Sequence, residues 1–391
     1  MRKLLEGSHA VAEAVRLCRP QVVAAYPITP QTHIIERLAQ QVADGELAAE
    51  FISAESEFGA ASLVLGAVAA GAQAFTATAS QGLLLMTEVL YNIAGMRLPV
   101  VMVCANRALG APINIFCDHQ DSMALRDAGW IQIYVESNQE AVDSLIQAYR
   151  LAETCELPVM ICMDGFLLTH TFEPVTLPTQ SAVDEYLPAF RFSRTLDPAR
   201  PMTLGGGSEA DNYQEYRVAQ QEAMENAETV IEAFDAEFSE QFGRSYGGLL
   251  QGYRLDGAQT VLLGLGSLMG TVRDVVDTLR DEGEAVGALR LRCFRPFPAQ
   301  SLVQSLSTAQ RIIVLEKAFS VGAGGMVAAE VRAALQQAGI MTPVESVIGG
   351  LGGRDLTADV IQAIFQGTTT EPFRVGRFAP DPVEEGGVGH G

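Results

Sequence analysis

Four short segments carry side chains able to bind and turn over a small polar molecule. They are Thr29 in Tyr26-Pro27-Ile28-Thr29-Pro30, Glu57 in Glu55-Ser56-Glu57-Phe58-Gly59, Ser80 and Gln81 in Thr78-Ala79-Ser80-Gln81-Gly82, and Asn106 and Arg107 in Ala105-Asn106-Arg107-Ala108-Leu109. A hydroxyl, a carboxylate, a small polar turn and a guanidinium can together orient an anionic substrate and handle a proton. Each also has a structural reading. Thr29 suits a helix N-cap, with Pro30 at the first helical position, where its missing N–H is no loss. Glu57, or Glu55 two residues earlier, would favour a helix N-terminus by about 0.3–1 kcal/mol. Arg107 has Asp118 and Asp121 downstream as possible partners. From spacing alone the chain is an α/β protein with a small-molecule site.

Every one of these segments follows a predicted strand. Short apolar runs at 21–26, 50–53, 74–78, 100–105, 131–135 and 159–163 alternate with helical patterns, such as Ile34, Ile35, Leu38 and Val42 on one face. Strands that are apolar throughout suit a parallel sheet covered on both sides, so the first 175 residues read as a doubly wound α/β domain. In such folds ligands bind where strands end and helices begin. From residue 176 to 256 a Pro-rich connection precedes a predicted helix over 209–242, which has few large apolar residues and reads as a partly exposed spacer. A second α/β unit is predicted over 257–375, with strands at 259–264, 285–292, 311–315 and 344–348. The tail, 376–391, offers little to pack.

Composition narrows the functions. The net charge of −21 argues against nucleic-acid binding, which needs clustered Lys and Arg. Hydrophobic residues make up 48% of the chain, enough for a large core. The six cysteines show no spacing typical of iron–sulfur or zinc ligation and read as buried thiols. No charged residue occurs between Glu57 and Glu88, yet Gly71 and several polar residues break that run, which reads as buried helix, strand and helix rather than a membrane span. The N-terminus lacks a signal peptide's apolar core, so a cytoplasmic location is expected. Gly264-Leu265-Gly266-Ser267-Leu268-Met269-Gly270 has the look of a dinucleotide turn. A nicotinamide-dependent dehydrogenase would also need an acid at the end of the next strand, which instead reads Arg290-Leu291-Arg292-Cys293.

Taken together, the Thr29, Glu57, Ser80 and Arg107 segments resemble the alpha-subunit chains of the pyruvate:ferredoxin oxidoreductase (pyruvate synthase) family. Cys117-Asp118-His119-Gln120-Asp121-Ser122, Arg126-Asp127-Ala128-Gly129-Trp130, Gln220-Gln221-Glu222-Ala223-Met224 and Gly243-Arg244-Ser245-Tyr246-Gly247 add to the likeness. It runs from the N-terminus to about residue 370. It implies two doubly wound parallel-sheet domains, one of the pyrimidine-binding type of thiamine-diphosphate enzymes and one like the transketolase C-terminal domain. It also implies oxidative decarboxylation of pyruvate to acetyl-CoA and CO2, with electrons passed to ferredoxin, or the reverse. Thiamine diphosphate would be shared with a beta-type subunit. Mg2+ and 4Fe–4S clusters would lie in beta-, gamma- and delta-type partner chains, coenzyme A would be a substrate, and ferredoxin would dock on other chains. Carried over residue by residue, Glu57 would hydrogen-bond the aminopyrimidine ring. Ser80, Gln81 and Thr29 would contact the cofactor, and Arg107, Asn106 and Thr29 the substrate. The loop from Asp118 to Asp121 would shape the pocket, with His119 a candidate general acid, and Arg295-Pro296-Phe297-Pro298 would be architectural. Two other readings stand beside this one: the same chemistry on oxalate, a branched-chain 2-oxoacid or 2-oxoglutarate, and a non-catalytic docking subunit. Oxalate, with two carboxylates, calls for a second cation that Thr29 does not supply.

Overall fold

Strands as apolar as Val101–Asn106 and Val159–Asp164 are stable only when helices cover both faces, and the computed structural model, which describes residues 2–368, has this arrangement. The predicted tail at 376–391 and the end of the predicted 257–375 unit lie outside the described residues. The first unit begins with β1 (Arg2–Glu6), α1 (Gly7–Cys18), β2 (Val22–Ala25), α2 (Thr32–Ala43), β3 (Glu50–Ser53) and α3 (Glu57–Ala69). It continues through β4 (Ala74–Thr78), α4 (Ser80–Leu85), α5 (Thr87–Gly95), β5 (Val101–Asn106), α6 (Gln120–Ala124), β6 (Ile131–Tyr134), α7 (Asn138–Cys155), β7 (Val159–Asp164) and β8 (Phe172–Thr176). The connection carries α8 (Gln180–Tyr186) and α9 (Tyr213–Phe242). The second unit holds β9 (Leu250–Tyr253), β10 (Thr260–Gly264), α10 (Leu268–Asp281), β11 (Val286–Leu291), β12 (Cys293–Arg295) and α11 (Ala299–Leu306). It ends with β13 (Arg311–Glu316), α12 (Met326–Gln337), β14 (Val344–Ile348) and α13 (Ala358–Gln366).

The first sheet has the order β12-β6-β7-β5-β4-β2-β3 and the second β14-β13-β10-β11-β9. All pairings are parallel except those of β12 with β6 and β9 with β11. The predicted pair of doubly wound sheets is thus present. Strand β12, not predicted, changes how the two are related. The chain leaves β11 in the second sheet and, after Arg292 alone, enters the edge of the first. Buried side chains from both units, among them Trp130, Tyr134, Leu263, Phe294 and Val327, share one core cluster.

One further expectation needs correction, and two gain detail. Thr29 does not cap a helix. It lies in a turn, α2 starts at Thr32, and Gln31 holds the loop by accepting from Ile28 N at 3.2 Å and donating to the Ala77 carbonyl at 2.6 Å. The predicted spacer helix buries a stripe of Met224, Ala227, Ile231, Phe234 and Phe238 and packs on α7. The Gly264–Gly270 turn is filled by the chain itself, because Ser267 N and Oγ both donate to the Asp164 carboxylate of the first unit. Asp164 thus takes a backbone N–H of the turn that a pyrophosphate would need.

Candidate active site

At the C-terminal edge of the first sheet the loops after β2, β3, β4 and β5 converge, and a fully buried carboxylate, Asp121 in α6, ties two of them together. It accepts from Ser80 N at 2.9 Å, Arg107 N at 2.9 Å, Asn106 Nδ2 at 2.8 Å and its neighbour Ser122 N at 2.8 Å. Burial raises the pKa of Asp121, and these four donors oppose the shift. Ser80 sits at φ 50°, in the left-handed region that residues with a side chain rarely adopt, and its N–H is held there by Asp121.

Asp121 therefore changes the roles expected of two residues. Asn106, expected on the substrate, is fully buried and directs its amide N–H groups to Asp121 and, at 2.7 Å, to Ser122 Oγ. Ser80, expected on the cofactor, is also fully buried, and its hydroxyl bonds to the Ala108 carbonyl at 2.5 Å and to Gln81 Oε1. Both belong to the floor of the site. Gln81 itself is exposed at the rim. Asp121 meets the backbone N–H of Arg107, not its guanidinium.

Glu57 is the first residue of α3, placed by the Ser56 cap, whose hydroxyl accepts from Gly59 N at 3.1 Å. The residue is only 8% exposed, and among the described residues no hydrogen bond or ion pair engages its carboxylate. The Thr78 hydroxyl, also buried, has no partner either. Both face the helical turn at Gly82, where a Cβ would lie 2.6 Å from Glu57 Oε1 and 2.6 Å from Thr78 Oγ1. A buried hydroxyl without a partner is costly unless something completes it, and beside it Glu57 leaves its carboxylate free to accept a hydrogen bond.

Across the edge, Arg107 and Thr29 are brought together. The Arg107 guanidinium donates from Nη1 to the Thr29 carbonyl at 2.9 Å and from Nε to the Asn114 carbonyl at 3.1 Å. Its Nη2 has no hydrogen bond among the described residues, and the Thr29 side chain is exposed. A guanidinium so braced, with one edge open, suits a carboxylate.

His119 stands at the β7 end of this edge. Its buried ring lies 2.7 Å through Nε2 from Asp164 Oδ1, and Asp164 also takes Lys317 Nζ of the second unit at 3.1 Å. Lys317 lies 3.2 Å from Cys117 Sγ as well. Burial alone would raise the Asp164 pKa, but the Lys317 ammonium and the His119 ring hold it well below the usual carboxylate range. The second unit also grips the preceding loop: Gly352 N donates to Asp118 Oδ2 at 3.1 Å, and Asn114 Nδ2 to the Gly352 carbonyl at 3.1 Å. Burial pushes Asp118 up to about 6. Sequence reasoning missed Thr78, Asp164 and Lys317. The first two stand at strand ends among apolar neighbours, a signal that was available. Lys317 carried none, because its partners lie about 150–200 residues away.

Residues 13–236 match a family model described as "Pyruvate flavodoxin/ferredoxin oxidoreductase, thiamine diP-bdg", and residues 258–361 match "Pyruvate:ferredoxin oxidoreductase core domain II". The chain is 52% identical over 367 residues to "Pyruvate synthase subunit PorA" of Methanocaldococcus jannaschii, covering 93% of each chain. It is 48% identical over 369 residues to the protein of the same name from Methanosarcina barkeri, covering 93% of this chain and 92% of the relative. "Ketoisovalerate oxidoreductase subunit VorA" of Pyrococcus horikoshii is 43% identical over 365 residues, with 93% of each chain covered. Among solved structures, a chain of the 2-oxoglutarate:ferredoxin oxidoreductase from Magnetococcus marinus superposes with a TM-score of 0.74 at 20% identity, a likeness of fold. The match covers 94% of this chain and 65% of that one.

Proposed function

The chain belongs to the pyruvate:ferredoxin oxidoreductase family, and from that premise we propose that it is the alpha-type subunit of a complex that oxidatively decarboxylates pyruvate to acetyl-CoA and CO2, passing electrons to ferredoxin, or runs the reverse. The observation that carries the site assignment is the unpartnered carboxylate of the largely buried Glu57, beside the buried, unpartnered Thr78 hydroxyl, at the C-terminal edge of the first sheet. Thiamine diphosphate fits that gap on the chemistry of this chain's own residues. A carboxylate can accept a hydrogen bond from an aminopyrimidine ring, the Thr78 hydroxyl offers a second polar contact, and Gly82 keeps a side chain out of the space between. When bound, the cofactor supplies the carbon nucleophile that adds to a keto carbon.

Glu57 holds a proton at the pyrimidine N1′ and so sets the tautomer of that ring. Arg107, braced on the Thr29 and Asn114 carbonyls, presents its open Nη2 edge to the substrate carboxylate, and the exposed Thr29 hydroxyl donates to the same group or to the carbonyl oxygen. Asp121 fixes the backbone that carries Ser80 and Arg107. Mg2+, the 4Fe–4S clusters and the ferredoxin contact are assigned to beta-, gamma- and delta-type chains, with coenzyme A as the acyl acceptor.

Pyruvate is favoured over larger or dianionic 2-oxoacids for two reasons. The site offers a single open guanidinium edge. The relatives named for pyruvate are also nearer in sequence than those named for ketoisovalerate. The test is kcat/KM of the assembled complex on pyruvate, 2-oxoglutarate, a branched-chain 2-oxoacid and oxalate, each with coenzyme A and ferredoxin. The highest value is expected for pyruvate; a higher value for any other acid overturns the substrate assignment.

A further inference from the structure

Three of the chain's five histidines stand together in the first unit with no role in the site above. The ring of His33 is 4.7 Å from that of His170 and 6.4 Å from that of His9. Glu6 ends β1, His33 is the second residue of α2, and His170 lies between β7 and β8. The β1–β8 ribbon fixes two of these places. Glu6 pairs with Phe172, and Ser8 donates from both N and Oγ to the Thr169 carbonyl at 2.9 Å.

Within this frame His33 Nδ1 lies 2.6 Å from Glu6 Oε1, and His170 Nδ1 lies 2.7 Å from Thr169 Oγ1. Thr169 Oγ1 also accepts from Phe166 N at 2.8 Å, so the His170 ring is held in orientation. One ligand atom from each of Glu6, His33 and His170 lies within 4.8 Å of the other two. An ion pair would account for Glu6 and His33 alone. It gives no reason for a second imidazole set against the first, which would repel it if both were charged.

We propose that Glu6, His33 and His170 form a binding site for a borderline divalent transition-metal ion, with Zn2+ as the probe. Two imidazoles and one carboxylate are a donor set for such an ion and a poor one for Mg2+ or Ca2+. Zinc bonds of about 2.0–2.1 Å place tetrahedral ligands roughly 3.3 Å apart, a spacing that the half-exposed His33 and His170 side chains reach by adjusting from atoms now within 4.8 Å of one another. Thr169 supplies the outer hydrogen bond that metal-bound histidines characteristically make. The half-buried rings of His33 and His170 leave the site open to solvent, both for entry and for a water as fourth ligand.

The experiment is equilibrium dialysis of the assembled complex against Zn2+, with bound metal counted per copy of this chain. The wild type is compared with complexes carrying His33→Gln, His170→Ala or Thr169→Val. The wild type is expected to hold one Zn2+ more than the two histidine variants. Thr169→Val, which keeps all three ligands, is expected to weaken that ion about 10–100-fold. Zn2+ should also raise the melting temperature of the wild type and leave that of the histidine variants unchanged. Equal zinc in wild type and variants, or no zinc on the wild type at micromolar free metal, overturns the proposal.

Discussion

At the residue scale the site depends on a carboxylate kept free and a backbone kept still. Gly82 is where the first requirement can be tested. In Gly82→Ala the new methyl would fall 2.6 Å from both Glu57 Oε1 and the buried Thr78 Oγ1, so both side chains must shift. Alanine's better helix propensity, worth about 1 kcal/mol, offsets part of the crowding against Thr78, while Glu57 is pushed aside. Turnover of the assembled complex should fall about 10²-fold or more, a loss far larger than any change in melting temperature accounts for. Asp121→Asn tests the second requirement. An amide N–H₂ would face N–H donors that now meet an oxygen, and each one left unmatched costs about 1–3 kcal/mol. A lower melting temperature and a raised KM for the 2-oxoacid should appear together. The place of Glu57, Thr29 and Arg107 at the sheet's C-terminal edge was legible because each follows a strand end. The burial of Asn106 was not legible, because side chains alternate faces along a strand and sequence does not say which face the last residue presents; that of Ser80 was not, because it follows from an unusual left-handed φ at the start of α4.

At the scale of elements, the loop from Arg107 to Asp121 is held from below by Asp121 and from the side by the second unit. Its anchor is the buried Asp164–Lys317 pair with His119. Lys317→Met would leave the Asp164 charge without its main partner and should cost about 3–5 kcal/mol, measured by denaturant unfolding; the double variant Asp164→Asn/Lys317→Met should recover part of that loss. The pH dependence has a definite sign. Asp164, held low, contributes fully above the ordinary carboxylate pKa of about 3.9, and its contribution is lost as pH falls through its depressed value. Lys317, held high because Asp164 outweighs its burial, contributes fully below about 10.4 and loses its share as pH rises beyond its raised value. Wild-type stability from this pair is thus flat across neutral pH. Lys317→Met should lose more at pH 7 than at pH 5, where Asp164 can take up a proton. Most parallel strands and flanking helices were legible from apolar runs and helical periodicity. The ribbon β1–β8 and strand β12 were not, because both are short edge pairings whose partners are distant in sequence.

At the scale of the molecule, the two sheets share core residues and a crossing strand, and Glu140 binds Arg290 and Arg292 in the joint between them. The Arg290-Leu291-Arg292 segment, which spoke only against a nicotinamide cofactor, is part of that joint. The charge-free stretch between Glu57 and Glu88 also gains a reason. Among the described residues no helix is long and apolar enough to cross a membrane, and much of this stretch is buried, yet Phe58, Leu63 and Leu85 are exposed. Apolar side chains on helices beside a half-built site fit a surface that a partner chain covers. Phe58→Asp with Leu85→Asp should abolish copurification with the partner subunits while leaving the melting temperature of this chain close to wild type. The most direct measurement is the exchange of the thiazolium C2 proton for deuterium in the assembled, thiamine-loaded complex carrying Glu57→Gln. A rate about 10²–10⁴-fold below wild type, with cofactor and partner subunits retained, is the expected result. Exchange at the wild-type rate would contradict the assignment of Glu57 and leave the chain a docking subunit.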